Sequence, residues 1–243
     1  MDVCLPEIQR AKKQTQNDTI PLKLLSKHVQ TFGLRRSEPA LRFPRPHMSP
    51  DLPPLVLGSS SRYRQELMSR LRVPFTTASP DIDESMLGHE TPREQAIRLA
   101  RGKAEAIAAR FPGACVIGSD QVASCGGRRY GKPGSRDAAI AQLAELSGRT
   151  VVFDTALCVI DGRKGTRHEA LVPTEVVFRA LSRPEIERYV DLDDPLDCAG
   201  AAKSESLGIA LLERLSGDDP TALVGLPLIR LSALLRGIGY PLP

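Results

Sequence analysis

From Leu55 onward, short apolar runs alternate with longer stretches in which apolar residues return every third or fourth position, the pattern of strands interleaved with helices. Leu55-Val56-Leu57 reads as a short buried strand, followed by Gly58-Ser59-Ser60-Ser61 and a helix carrying Tyr63, Leu67, Met68 and Leu71. Thr91-Pro92-Arg93-Glu94 is a capping box with proline at the first helical position. It opens a helix that turns Ala96, Ile97, Ala100, Ala104 and Ile107 inward and stops at Phe111-Pro112-Gly113. Ala114-Cys115-Val116-Ile117 then predicts a central strand whose carboxyl end delivers Gly118-Ser119-Asp120-Gln121. Ser135 caps a helix through Ile140, Leu143 and Leu146 that closes at Gly148. Residues 150–160 and 171–181 are β-rich and predicted to pair across the polar stretch 161–165. Ser182-Arg183-Pro184-Glu185 is a second capping box, for a helix with Ile186, Tyr189 and Val190. Residues 208–215 read as a strand, and Leu226-Pro227 begins an amphipathic helix with Leu228, Leu231, Leu234 and Leu235. No internal repeat is visible, and the whole predicts one α/β domain over residues 51–243.

Residues 1–50 carry polar tracts such as Gln14-Thr15-Gln16-Asn17-Asp18 without helix or strand periodicity, and are expected to be a disordered extension. Met48, just before the first convincing strand, is an alternative translation start, with a targeting arm as the weaker competing explanation of the segment. This segment also explains the overall charge of +4: it holds nine Lys/Arg against four Asp/Glu, whereas the remainder holds 24 against 25. A nearly neutral body gives no electrostatic support for a nucleic-acid partner. The apolar runs are too short to cross a bilayer, and the first thirty residues lack the apolar core of a signal peptide, so no membrane partner is expected. Five cysteines (Cys4, Cys115, Cys125, Cys158, Cys198) without a C-x-x-C pair read as free thiols of a reducing compartment, and four scattered histidines build no zinc site.

Candidate chemistry begins at the loops. A strand, a small-residue loop and a helix, as at residues 55–71, can present backbone N–H groups and hydroxyls to an anion at the positive end of the helix; serines that merely cap the helix are the equal alternative. Gly126-Gly127-Arg128-Arg129-Tyr130-Gly131-Lys132 matches half of a P-loop, but Pro133 stands where a magnesium-binding hydroxyl is required. A Walker motif is therefore rejected, leaving Lys132 as a single phosphate-directed cation. Asp120 is a candidate by position alone, because α/β sheets place ligand chemistry beyond strand carboxyl ends. With it stand Ser59, Arg64, Asp83, Glu84, Lys103, Lys132, Lys203 and Glu205, a mixture of cations and carboxylates. Any one of these taken singly is by default a solvated surface residue. Together they suit triphosphate hydrolysis, in which cations offset phosphate charge and a carboxylate positions metal or attacking water.

Seven ordered blocks carry a resemblance: residues 55–64, Asp81-Ile82-Asp83-Glu84, residues 98–104, Ile117-Gly118-Ser119-Asp120-Gln121-Val122, Gly131-Lys132-Pro133, Leu146-Ser147-Gly148 and Val224-Gly225-Leu226-Pro227. Collinear from Leu55 to Gly239, the chain resembles the Maf nucleotide pyrophosphatase family. The resemblance implies a mixed, twisted sheet with flanking helices, two lobes around a nucleotide-binding cleft, hydrolysis at the α–β phosphate bond and a cytoplasmic setting. It also implies a divalent cation (magnesium, manganese or cobalt), a small-molecule nucleotide as partner, and it admits a homodimer. Asp120 would accept the proton; Ser59, Arg64, Lys103 and Lys132 would hold phosphates; Glu84 and Asp120 would hold the metal.

The stretch from Pro195 to Glu205, with Gly208 to Leu215, resembles the YceF-type branch, which acts on 7-methyl-GTP. The branch for dTTP and UTP typically has Arg, Thr and Gln at the positions of Tyr63, Gln121 and Glu205. These three are thus expected to set base specificity. N7 methylation makes the guanine ring cationic, which an aromatic face such as Tyr63 favours. A carboxylate such as Glu205 can accept from guanine N1–H and its exocyclic amine together. The resemblance has departures: Gly58 and Arg62 replace a common Ala and Pro, and Ala202 and Ser206 stand where an aromatic residue and a Gly are frequent. The alternatives are a dTTP/UTP or broader-range pyrophosphatase and a nucleotide-binding regulator of septum formation.

Overall fold

The computed structural model describes residues 52–243. The expected extension and the Met48 start therefore lie outside the described residues. Seven strands and five α-helices follow in the order β1 (Leu55–Gly58), α1 (Arg62–Ser69), β2 (Thr76–Ala78), α2 (Pro92–Ala108), β3 (Cys115–Cys125), β4 (Arg128–Tyr130), α3 (Arg136–Leu146), β5 (Thr150–Asp161), β6 (Thr166–Phe178), α4 (Arg183–Asp193), β7 (Leu212–Gly217) and α5 (Leu228–Ile238). They form one mixed sheet of order β2-β1-β3-β5-β6-β7, with β4 paired to β3. β1 is parallel to β2 and β3, and every other pair is antiparallel.

Local chemistry sets the helix starts. Both expected capping boxes form: Thr91 with Glu94 and Ser182 with Glu185, each with proline inside the first turn. Such a cap contributes about 1 kcal/mol. Ser135 accepts a hydrogen bond from the Ala138 N–H at the start of α3. The two faces of the sheet follow the period of two along each strand. Leu55, Leu57, Cys115 and Ile117 pack with Leu67 and Met68 of α1 and Leu231 and Leu235 of α5. Val56, Val116 and Val122 face the opposite way, onto Ala96, Ala100, Ala104 and Ile107 of α2. Beyond these, Ala123, Phe153 and Phe178 gather α3 and α4 into a third cluster.

Three strand expectations change. The central strand does not end at Ile117 but runs to Cys125, pairing with β5 from Cys115 to Ser124, so Asp120 lies within it. The polar run 118–121 looks like a strand end because its side chains are satisfied by groups distant in sequence. β6 begins at Thr166, five residues earlier than expected, because β5 offers it a partner at every position from Thr150 to Asp161. The run 208–215 divides into a 3-10 turn, Leu207–Leu211, and β7. Gly208 packs so close to Lys203 that an added Cβ would stand 2.5 Å from its carbonyl oxygen, so the turn has no room for a side chain there. The rejected P-loop half is a hairpin: Gly126 and Gly127, with φ of 57° and 82°, join β3 to β4.

One edge of β3 shapes the site. β1 occupies it from Cys115 to Gly118 and β4 from Ala123 to Cys125. Neither strand covers Ser119–Val122. The serine loop leaves β1, and Lys132 follows β4, on the two sides of this gap. Above it the segment 79–91 is clamped by Arg98, which donates to both Glu90 carboxylate oxygens (2.8 and 2.7 Å) and to the Ser85 carbonyl (3.0 Å). Arg129 donates to the Glu90 carbonyl.

A Cβ on Gly118 would collide with the Ala100 carbonyl oxygen and stand 2.7 Å from the Ala104 nitrogen, both helix backbone. Gly118→Ala should cost roughly 1–3 kcal/mol in urea unfolding. Glu90 is held at a pKa of about 2, against an ordinary 4.5, chiefly by its hydrogen bonds from Arg98. Its contribution is present above pH 4.5 and lost as pH falls toward 2. Glu90→Gln should therefore lower the melting temperature at pH 7 and flatten its dependence on pH between those values.

Candidate active site

The gap in the edge of β3 opens into a cleft of about 840 Å³. Ser59, Tyr63, Arg64, Glu84, Lys103, Asp120, Gln121, Lys132 and Glu205 all line it. They come from separate stretches of chain that only the fold brings together. Asp83 and Lys203 are not among the lining residues. The Asp83 carboxylate accepts from the Ser85 N–H at 2.8 Å, a local turn. Lys203 donates to the Asp193 and Asp194 carbonyls, both at 2.7 Å, at the left-handed C-terminal residue of α4.

The centre of the cleft is a lysine between two carboxylates. Lys103 Nζ lies 2.6 Å from Asp120 Oδ1 and 2.8 Å from Glu84 Oε1. Lys103 and Asp120 are both buried, whereas Glu84 is open to solvent. The alternation of β3 produces the contact, since Asp120 and Gly118 point toward α2, and Gly118 lets α2 approach. Burial pushes the Asp120 pKa up, opposed by the nearby Lys103 and Arg64 cations. Burial likewise pulls the Arg64 guanidinium below its ordinary value, opposed by Asp120 and Glu84. Cations and carboxylates thus sustain one another in a partly dehydrated place.

The serine loop caps α1 and also lines the cleft. Ser61 caps α1, accepting from the Arg64 N–H at 3.4 Å, and Ser59 Oγ accepts from the Ser61 N–H at 3.1 Å while facing the cleft. Arg64 Nε donates to the Gly225 carbonyl at 2.8 Å, which fixes its guanidinium at the wall.

Gln121 lies one residue from Asp120 and therefore on the other face of β3. Its amide nitrogen lies 3.0 Å from Thr155 Oγ1, 2.9 Å from the Ala222 carbonyl and 3.0 Å from the Leu223 carbonyl. That amide is engaged in holding the turn at residues 222–224. Ser119, on the same face, donates toward the Ala156 and Gly225 carbonyls at 2.8 and 2.9 Å. Sequence reasoning passed over Ser119, a buried residue that fastens the cleft wall.

At the other side of the cleft, Tyr63 Oη donates to Asp197 Oδ1 at 3.2 Å. Burial raises the Tyr63 pKa to about 12, so it is a neutral phenol at physiological pH. Glu205 is exposed there, 3.5 Å from Ser204 Oγ. Asp197 and Arg62 also line the cleft and were not singled out as site residues. No periodicity marks Asp197, which meets Tyr63 from 134 residues away.

Among the described residues no cluster of three or more His, Cys, Asp or Glu side chains is arranged to hold a metal. Glu84 and Asp120 are nonetheless two hard oxygen donors on one cleft wall. Oxygen donors of this kind are what a small divalent cation takes, and here the Lys103 amine already lies against one oxygen of each.

A family model described as Maf-like protein matches residues 54–238. A protein of Cupriavidus metallidurans named 7-methyl-GTP pyrophosphatase is 57% identical over 189 residues, 78% of this chain and 95% of its own. Proteins of the same name from Aromatoleum aromaticum and Ralstonia nicotianae are 58% and 55% identical, over 78% of this chain and 97% and 98% of theirs. The solved Staphylococcus aureus Ham1 protein aligns with 75% of this chain and 98% of its own, at a TM-score of 0.43 and 16% identity, a likeness too weak to carry an inference. With nearly the whole described chain matched by one family model and by relatives at this identity, the protein belongs to the Maf family of nucleotide pyrophosphatases.

Proposed function

We propose that this chain hydrolyses 7-methyl-GTP to 7-methyl-GMP and pyrophosphate. The observation that carries the reaction class is the buried Asp120 carboxylate, held by Lys103 in a gap of the sheet edge whose walls carry Ser59, Arg64 and Lys132. The relatives named for that substrate, together with Tyr63 and Glu205 at the other side of the cleft, support the choice of base.

In this reading the triphosphate lies along the wall of Ser59, Arg64, Lys103 and Lys132. Asp120 accepts a proton from a water whose oxygen forms a bond to the α-phosphorus. The bond from that phosphorus to the α–β bridging oxygen breaks, and its electron pair leaves with pyrophosphate. Burial suits Asp120 to this work, because a raised pKa makes it a better proton acceptor, while Lys103 keeps it ionised beforehand. The Arg64 and Lys103 charges offset those of the phosphate oxygens. Glu84 and Asp120 would hold a divalent cation, which when bound supplies further neutralisation of phosphate charge.

At the base side, the Tyr63 ring would accept the cationic face of 7-methylguanine, and Glu205 its N1–H and amine donors. Gln121 acts through the turn at residues 222–224 that it holds, as a positioning residue. Cys115, Cys125, Cys158 and Cys198 are free thiols, in keeping with a cytoplasmic setting. No described helix is long and apolar enough to cross a membrane.

Asp120→Asn keeps the shape of the side chain and removes its charge, and kcat should fall about 10²- to 10⁴-fold, read as pyrophosphate release. The same assay across 7-methyl-GTP, GTP, UTP and dTTP tests the base. The highest kcat/KM is expected for 7-methyl-GTP, and faster cleavage of UTP or dTTP would defeat the assignment. Glu205→Gln should lower kcat/KM for 7-methyl-GTP roughly tenfold, the worth of a charge-assisted hydrogen bond.

A further inference from the structure

Arg62 lines the cleft but takes no part in the reaction described above. Its guanidinium carbon lies 4.8 Å from the centre of the Tyr63 ring, and Nη2 donates to Tyr63 Oη at 2.8 Å. The same Nη2 stands 3.7 Å from Asp197 Oδ2. The aromatic face suited to a cationic base therefore already bears a cation belonging to the protein.

That cation is loosely held. The Arg62 side chain is 74% exposed, its ion pair is long and solvated, and it opens α1, the helix end at which positive charge is disfavoured. Resting on the 7-methyl-GTP reading, we propose that Arg62 is a specificity-determining residue whose guanidinium occupies the Tyr63 face that a cationic base requires, and so reduces selectivity for cationic over neutral purines. A planar base gains the ring only when the guanidinium swings away. That displacement costs the same for guanine as for 7-methylguanine and cancels in their ratio. The repulsion between the displaced but still neighbouring positive charge and the base acts on the methylated ring alone, and it sets the ratio. If Arg62 held phosphate instead, its loss would weaken every nucleotide equally.

The test uses the full chain as wild type, Arg62→Met and Arg62→Lys. Methionine keeps the length and apolar stem without the charge, and lysine keeps the charge. With Arg62→Met, the ratio of KM for GTP to KM for 7-methyl-GTP should rise about two- to fivefold, the size of an exposed cation–π contact, with the change in KM rather than kcat. Arg62→Lys should stay near the wild-type ratio. An unmoved ratio, an equal rise in KM for both nucleotides, or a lysine variant that behaves like the methionine one would overturn the proposal. Calorimetric binding of 7-methyl-GMP and GMP to the three proteins separates this from the substrate reading. If wild type does not favour 7-methyl-GTP in turnover yet Arg62→Met gains on 7-methyl-GMP over GMP, the substrate reading fails and the role of Arg62 stands.

Discussion

Two strands share one edge of β3 without meeting, and the interval they leave uncovered makes the site. β1 stops at Gly58, opposite Gly118, and β4 ends at Tyr130, opposite Ala123. An open crevice in an α/β sheet usually lies beyond the strand ends, where the order of strands reverses. Here the strand carrying the acid continues through the crevice, and only its neighbours stop. The serine loop leaves the last residue of one neighbour and Lys132 follows the last residue of the other. Ser59 and Lys132 are thus brought to the two sides of Asp120 by the lengths of two short strands.

Within that interval Lys103 is the central electrostatic partner. A carboxylate as buried as Asp120 is stable only beside a compensating charge, and α2 provides one from its inner face. Removing one member of such a pair leaves the other buried and unpaired, at a cost of about 3–5 kcal/mol. The approach of α2 that brings the amine within 2.6 Å depends on Gly118, two residues earlier on the same strand face. The Lys103–Asp120 pair and the core packing therefore rest on the same contact between α2 and β3.

What the sequence made legible were the features written in local chemistry. The capping boxes at Thr91 and Ser182, the cap at Ser135 and the inward stripe of α2 each depend on residues a few positions apart, and all formed as expected. The full length of β3 was hidden because its polar residues, 118–121, are satisfied from α2 and from residues near 156 and 222–225. The early start of β6 was hidden for a related reason: Thr166–Glu169 are exposed and owe their strand conformation to β5. The membership of the cleft was legible through the order of the motifs, but not the orientation within it. A period of two sends Gln121 away from Asp120, and the Arg62–Tyr63–Asp197 cluster unites segments with no shared pattern.

β5 and β6 run unbroken from the α2 side of the molecule to the α3 and α4 side, paired residue for residue from Thr150 to Asp161. The elements that wall the cleft are tied to one continuous sheet of which these strands are part. A hinge cutting across these two strands would have to break a twelve-residue ladder. The segments 79–91 and 195–206 bring Glu84 and Glu205 to the cleft from outside that ladder. Sequence change confined to those two segments therefore alters groups that line the cleft without touching the ladder beneath it.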